Sequence, residues 1–212
     1  NRILVQQGLL RIRSGQACAG IQALFEIAGV DIQFASSQDL SFGLGPRLNA
    51  AGRLDDMSLG IHCLLAQNSA PARTMAQALD SMNQARKQVE QDMQASALLH
   101  LAQIKVQEGL GVCLYDADWH QGVIGILASR IKEKMHRPTI VFAQGQGDEL
   151  KGSGRSIEGV HLRDILDCVS KRHPNLLLKF GGHAAAAGLS IKAVDLPLFT
   201  QAFNEALRDY AP

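Results

Sequence analysis

From Ala72 to Glu108 the chain contains neither glycine nor proline. A run that long without a helix breaker leaves few folds open, and Asn68-Ser69-Ala70-Pro71 opens it with a helix start signal, because proline is tolerated in a first turn. Met75, Leu79, Met82, Val89, Met93, Ala97, Leu101 and Ile104 recur on a roughly heptad spacing. Arg86 takes one seam position, where Glu90 can pair with it. The pattern predicts one helix over residues 69–108, roughly 50 Å long at about 1.5 Å per residue. Its apolar stripe is narrow and its polar residues many, as in a strut joining two globular parts. A homodimeric coiled coil is the competing reading.

Before the strut, the periodicity predicts helices over residues 2–13 and 19–28. Asp39 or Ser41 can cap a short helix, and Asp55 and Asp56 cap another that carries the apolar run Leu59 to Ala66. After it the pattern changes. Strands are predicted over 111–116, 138–143 and 149–157, helices over 121–135, 160–171 and 196–210, and a last strand in the later part of LLLKFGGHAAAAGLSI. The order β-α-β-β-α-β-α belongs to an α/β domain with a mixed sheet.

Charge and cysteine content narrow the function classes. The formal net charge is +1, so a nucleic-acid partner would have to be met by locally gathered cations. Four cysteines, Cys18, Cys63, Cys113 and Cys168, lie far apart with no C-x-x-C pair, and read as reduced core thiols of a cytoplasmic protein. No apolar run reaches membrane-spanning length and no signal-peptide pattern is present. Asn1 enters a periodic apolar segment at once, which is expected of a piece of something longer.

Three stretches combine tiny residues with donors suited to phosphate. In FGLGPRLNAAGRLDD, residues 42–56, Arg47, Asn49 and Arg53 stand among Gly45, Pro46, Ala50, Ala51 and Gly52. Small residues let another molecule approach the backbone, and guanidinium forks fit phosphate oxygens. The alternative is a glycine-rich turn with solvated arginines. Gly152-Ser153-Gly154-Arg155-Ser156 lies within a strand pattern, where two glycines are costly unless a ligand or another backbone comes close; a β-bulge is the alternative. Gly181-Gly182-His183 precedes four alanines and Gly188, and His183 can donate to an oxyanion or move a proton. Asp116, Asp118 and His120 could share one side of an extended strand as metal ligands, or end the strand and cap the next helix. Arg130, Lys132, Lys134, His136 and Arg137 suit a helix C-terminus first and a DNA backbone second. No Walker loop, dinucleotide fingerprint, nucleophile elbow or zinc spacing occurs.

FGLGPRLNAAGRL, WHQGVIGILASRIKE, LKGSGRS and FGGHAAAAGLS, in that order, resemble the DHH phosphoesterase superfamily, and within it the exonucleases acting on single-stranded DNA. The resemblance covers essentially the whole chain. It implies the C-terminal part of a DHH domain over 1–68, a connector helix over 69–108 and a DHHA1 domain over 109–212. It further implies 5′→3′ hydrolysis of single-stranded DNA with Mn²⁺ or Mg²⁺, in DNA repair and recombination, beside a single-strand-binding protein and a helicase. No Asp-His-His triplet occurs, so the metal ligands are expected upstream of Asn1 and the chain alone is expected to be inactive. The supporting phosphate contacts implied here are Arg47, Asn49, Arg53, Ser153, Arg155, Ser156, Gly181, Gly182 and His183. Other DHH/DHHA1 phosphodiesterases, acting on oligoribonucleotides, and non-catalytic nucleic-acid-binding modules are the rival readings.

Overall fold

The structure is a computed structural model that describes residues 1–103 and 110–210, without the side chains of residues 100–103. It divides into two compact units, Asn1–Gln88 and Val89–Pro212.

The first unit is helical. Helices α1 (Arg2–Arg13), α2 (Ala19–Ala28), α3 (Gly45–Leu54) and α4 (Ser58–Leu65) pack with the opening turns of α5 (Ser69–Gln103). Leu9, Leu24, Phe25, Leu44, Cys63, Ala72, Ala76 and Leu79 form their shared core. α2 and α4 cross so closely that a Cβ on Gly20 would lie 1.9 Å from the Cys63 carbonyl oxygen. Only glycine fits that crossing. Gly29 ends α2 in the left-handed conformation, with φ +68°, as a C-terminal glycine commonly does.

α5 starts where the sequence places it, at Ser69. Leu79, Met93 and Ala97 of the expected seam are buried, and Met75, Met82 and Val89 are half-buried. Glu90 meets Arg130 at 3.3 Å, and Arg86 donates to Asn83 Oδ1. The expected last turns, through Ile104 to Glu108 and Gly109, lie outside the described residues.

The second unit is built on five strands: β1 (Val112–Tyr115), β2 (Thr139–Gln144), β3 (Glu149–Arg155), β4 (Lys179–Gly182) and β5 (Ala186–Lys192). Their order is β1-β2-β3-β5-β4, with β1 and β2 parallel and every other pair antiparallel. The parallel pair requires a crossover, which α6 (Ile124–Met135) provides. The sheet is mixed, as the element order implies.

One strand has no counterpart in the sequence pattern. Lys179-Phe180-Gly181-Gly182 forms a short edge strand, too brief and too rich in glycine to carry an alternating signal. α7 (Leu162–Arg172) and α8 (Leu196–Tyr210) join the face of the sheet that holds Ile140, Phe142, Leu150, Leu189 and Ile191. Phe142 meets Phe199 edge-on at 5.5 Å, and Phe199 stacks on Phe203 at 5.9 Å.

β3 runs through this sheet without a bulge, each residue from Leu150 to Arg155 pairing on both sides and Glu149 pairing with Lys192 of β5. Its glycines are explained by the core, not by a ligand. A Cβ on Gly152 would stand 2.6 Å from Phe142 Cε1, and one on Gly154 2.7 Å from Leu162 Cδ2. The cysteine expectation is corrected at one place: Cys63 is buried and Cys113 and Cys168 half-buried, but Cys18, just before α2, is exposed.

Candidate nucleic-acid interface

In the first unit the stretch 42–56 is helical through Leu54, not an open glycine-rich loop. A π-helical segment, Asp39–Leu44, leads directly into α3, and the Gly45 amide reaches back to the Leu40 carbonyl. Proline explains the widening. Pro46 has no N–H to give, and its ring crowds the carbonyl one turn earlier, so the ladder is relaxed just before it.

The helix spreads the three expected contacts around its axis. Asn49 and Arg53, four residues apart, share an exposed face. Arg47 lies about 200° from Asn49 at about 100° per residue, on another side. Its Nη1 donates to the Gly43 carbonyl at 2.6 Å. Its Nε stands 2.8 Å from Asp80 Oδ1, with both side chains largely buried. The angle there falls short of a hydrogen bond, so this contact is an ion pair. Arg47 is thus held in place by α5, and its carboxylate partner offsets its charge.

In the second unit, strand alternation puts Lys151, Ser153 and Arg155 on the face opposite the α7–α8 core. Val141 and Ala143 of β2 are fully buried on that same face. α6 packs against β2 and β3, and the absent side chain of Gly125 makes room for β3's donors. A Cβ there would lie 2.9 Å from Arg155 Nη2 and 3.0 Å from Ser153 Oγ. Arg155 Nη1 donates to the Gly154 carbonyl at 2.8 Å and to Ser153 Oγ at 3.2 Å. A guanidinium and a hydroxyl therefore sit over the first turn of a helix, where the backbone dipole is also positive. All three favour an anion.

Ser156 is nearly buried, and its hydroxyl donates to the Val160 carbonyl at 2.7 Å. Its proton is engaged in holding the loop after β3. Ser156 N also donates to the Ala185 carbonyl, and Leu162 N to that of Ala184, both at 2.9 Å. These bonds fix the tip of the β4–β5 hairpin. His183 is exposed at that tip and closes it through its amide, 2.8 Å from the Ala186 carbonyl. Ala186 is the register partner of Arg155, so Arg155 and His183 stand at the same end of the sheet.

The two neighbouring glycines differ. Gly182 has φ +149°, and a Cβ would meet the Ala186 carbonyl at 2.4 Å, so it is required by the hairpin. Gly181 has open space above it.

The side chains of Asp116 and His120 stabilise the turn between β1 and α6, and no side chain caps α6 itself. Asp116 Oδ1 accepts from the Asp118 amide at 3.0 Å, and His120 Nδ1 from the Gly122 amide at 3.1 Å. Among the described residues no three His, Cys, Asp or Glu side chains gather as metal ligands would. Of the basic cluster, Lys132 and Lys134 lie in the last turn of α6, and Arg130 pairs with Glu90 and Glu133. Lys151, Ser190 and Lys179, which form one rung across β3, β5 and β4, are not among the expected contacts. The alternation in Lys-Gly-Ser-Gly-Arg is the signal that could have found Lys151.

Comparison with known proteins places this arrangement in a family. The model of the DHHA1 domain matches residues 102–209. The single-stranded-DNA-specific exonuclease RecJ of Salmonella typhimurium is 52% identical over 99% of this chain, which spans 37% of that protein. Two crystal structures of RecJ from Thermus thermophilus, one in complex with Mg²⁺ and one with Mn²⁺, superpose with TM-scores of 0.83 at 32% identity. They cover 98% of this chain, which in turn spans 31% and 30% of theirs. The chain is about a third as long as these relatives, resembles RecJ over nearly all of its length, and belongs to the DHHA1 domain family.

Proposed function

We propose that this chain is part of a RecJ-like exonuclease that hydrolyses single-stranded DNA 5′→3′ and that it supplies phosphate-binding residues for the substrate strand. In this reading residues 1–68 complete a DHH domain, 69–108 connect, and 109–212 form the DHHA1 domain. The observation that carries the proposal is the placement of Arg155 and Ser153 over the first turn of α6, in a chain half-identical to RecJ. A guanidinium fork, a hydroxyl and a helix N-terminus together suit a phosphate rather than a neutral ligand.

The described residues do not themselves fit a metal centre, since no acidic or imidazole cluster forms among them. The Mn²⁺ or Mg²⁺ of the proposed enzyme is therefore assigned to side chains outside those residues. The roles left for this chain are binding and orientation. Arg155 and Ser153 hold a phosphate. His183 donates to it from the hairpin tip, with Gly181 and Gly182 setting the approach. Ser156 positions the hairpin. Asn49 and Arg53 meet the strand from α3, and Arg47 is held for the same purpose by Asp80. Such an enzyme consumes single strands, so the proposed partners are a helicase that produces them and a protein that coats them, in the cytoplasm.

Degradation of a 5′-phosphorylated single strand by the full-length protein with Mn²⁺ tests this. Turnover is expected from the full-length protein and none from the 212-residue chain. Arg155→Ala in the full-length protein is expected to weaken strand binding by about 1–3 kcal/mol, the scale of a charged hydrogen bond. Robust cleavage by the short chain would refute the division of labour. Preference for short oligoribonucleotides over DNA would assign the chain to a different DHH/DHHA1 phosphodiesterase.

A further inference from the structure

Gly125 is the second residue of α6, and its missing side chain is what lets the helix lie against Ser153 and Arg155. The amide of a first-turn residue points back along the helix axis, with no earlier turn to receive it. Its neighbours find acceptors just before the helix. Ile124 N reaches the His120 carbonyl, and Ile126 N and Leu127 N both reach that of Val123. Among the described residues nothing accepts from Gly125 N. A residue's nitrogen stands about 2.5 Å from its own Cβ. A Cβ here would be 2.9 Å from Arg155 Nη2 and 3.0 Å from Ser153 Oγ, so the Gly125 nitrogen lies within about 5.5 Å of both.

We propose that Gly125 completes the phosphate seat of Arg155 and Ser153, as its third donor and its point of entry. The amide gives a hydrogen bond, and the absent side chain leaves the volume that a phosphate oxygen fills. The inference rests on the phosphate-binding reading above and extends it to a residue given no contact there.

The three donors are distinct and set in place by the fold. Ser153 Oγ accepts from Arg155 Nη1, so its own proton is left to give. Arg155 Nη1 is anchored on the Gly154 carbonyl, while Nη2 stands toward Gly125. Hydrogen bonds to a charged oxygen are about 2.7–2.9 Å long, so donors about 5 Å apart can converge on a single phosphate. Three donors match three oxygens. A terminal phosphomonoester carries three that bear no ester link, whereas an internal diester carries two, and its second ester group would crowd the third donor. The seat therefore selects a 5′-terminal phosphate over an internal one. The next phosphate of the strand is left for the metal centre assigned outside these residues.

Alanine separates this role from a packing role. Gly125 has no positive φ, and alanine is the better helix former, so Gly125→Ala costs the backbone of α6 nothing. Its methyl instead meets the tip of Arg155 and fills the seat. The test compares 5′-phosphorylated and 5′-hydroxyl oligothymidylate by fluorescence anisotropy with the full-length protein, without catalytic metal. The wild type is expected to prefer the phosphorylated strand. Gly125→Ala should cut that preference roughly tenfold, the scale of a lost charged hydrogen bond, with no fall in melting temperature. A lowered melting temperature with both strands weakened alike would assign Gly125 to packing and overturn the proposal. A second measurement needs no variant. In full-length protein labelled at the Ile124–Gly125 pair, the Gly125 amide proton should move downfield with thymidine 5′-monophosphate and not with thymidine. An unmoved amide would remove it as a donor. Unchanged phosphate preference in Gly125→Ala, in a protein that still degrades single strands, would overturn the role of Gly125 and leave the exonuclease reading intact. A wild type indifferent to the 5′-phosphate would overturn the seat and the phosphate role of Arg155 together.

Discussion

Asp39 accepts from both the amide and the hydroxyl of Ser36, at 2.8 and 2.6 Å, while its own amide lies 3.3 Å from the Ser36 hydroxyl. This reciprocal pair starts the helical run that leads into α3. The bonds from Ser36 hold the Asp39 carboxyl below its ordinary 3.8. A depressed carboxyl binds its proton more readily in the unfolded chain, so it stabilises the fold above its unfolded value, and that contribution is lost as pH falls through the folded one. Asp39→Asn should therefore lower the melting temperature near neutrality, and the gap to the wild type should close as pH falls below about 4. A gap that does not change with pH would show that the carboxylate charge is not what the turn uses. Arg47 teaches the converse lesson. Its residue type and small neighbours are legible in the chain, but its partner is 33 positions away at Asp80, and no local pattern announces an ion pair across that separation.

At the scale of elements, glycine permits several of the close approaches among the described residues. Gly20→Ala should destabilise the first unit by about 1–3 kcal/mol, because the added methyl meets backbone that cannot turn aside. Chemical denaturation measures this, and an unchanged midpoint would mean that α2 and α4 can separate without loss. Gly182→Ala combines a disfavoured φ with a contact to the Ala186 carbonyl, and should cost more than about 1 kcal/mol while weakening strand binding through a displaced His183. Intact binding in a destabilised variant would remove His183 from the interface. Helices and long strands are readable because apolar spacing repeats within them, down to the termini of α1, α2 and α8. β4 is not, since four residues with two glycines have no period to read. The stretch 42–56 misleads for a related reason. Glycine and alanine look alike in a loop and in a tightly packed helix, and only the neighbouring elements decide between them.

Across the whole molecule the four thiols are free, and their surroundings differ enough to serve as probes. Burial pushes the Cys113 thiol up to about 12, and the Cys63 thiol is raised for the same reason. Thiolate is the reactive form, so Cys18 should supply the fast phase with an aromatic disulfide reagent near pH ~8. Cys63 and Cys113 should react only when their own units open, giving each unit a separate reporter. Loss of the fast phase in Cys18→Ser checks the assignment, and rapid labelling of Cys113 in the native state would contradict its environment.

The ties that hold the hairpin carrying His183 have one more consequence. Its tip hangs from the amides of Ser156 and Leu162, the latter the first residue of α7. A tug on the imidazole would be felt as a pull on those two N–H groups rather than as a swing of the tip. Deuterium uptake at Ser156 and Leu162 should therefore slow when a nucleic-acid strand is engaged, registering occupancy at backbone positions that never touch it.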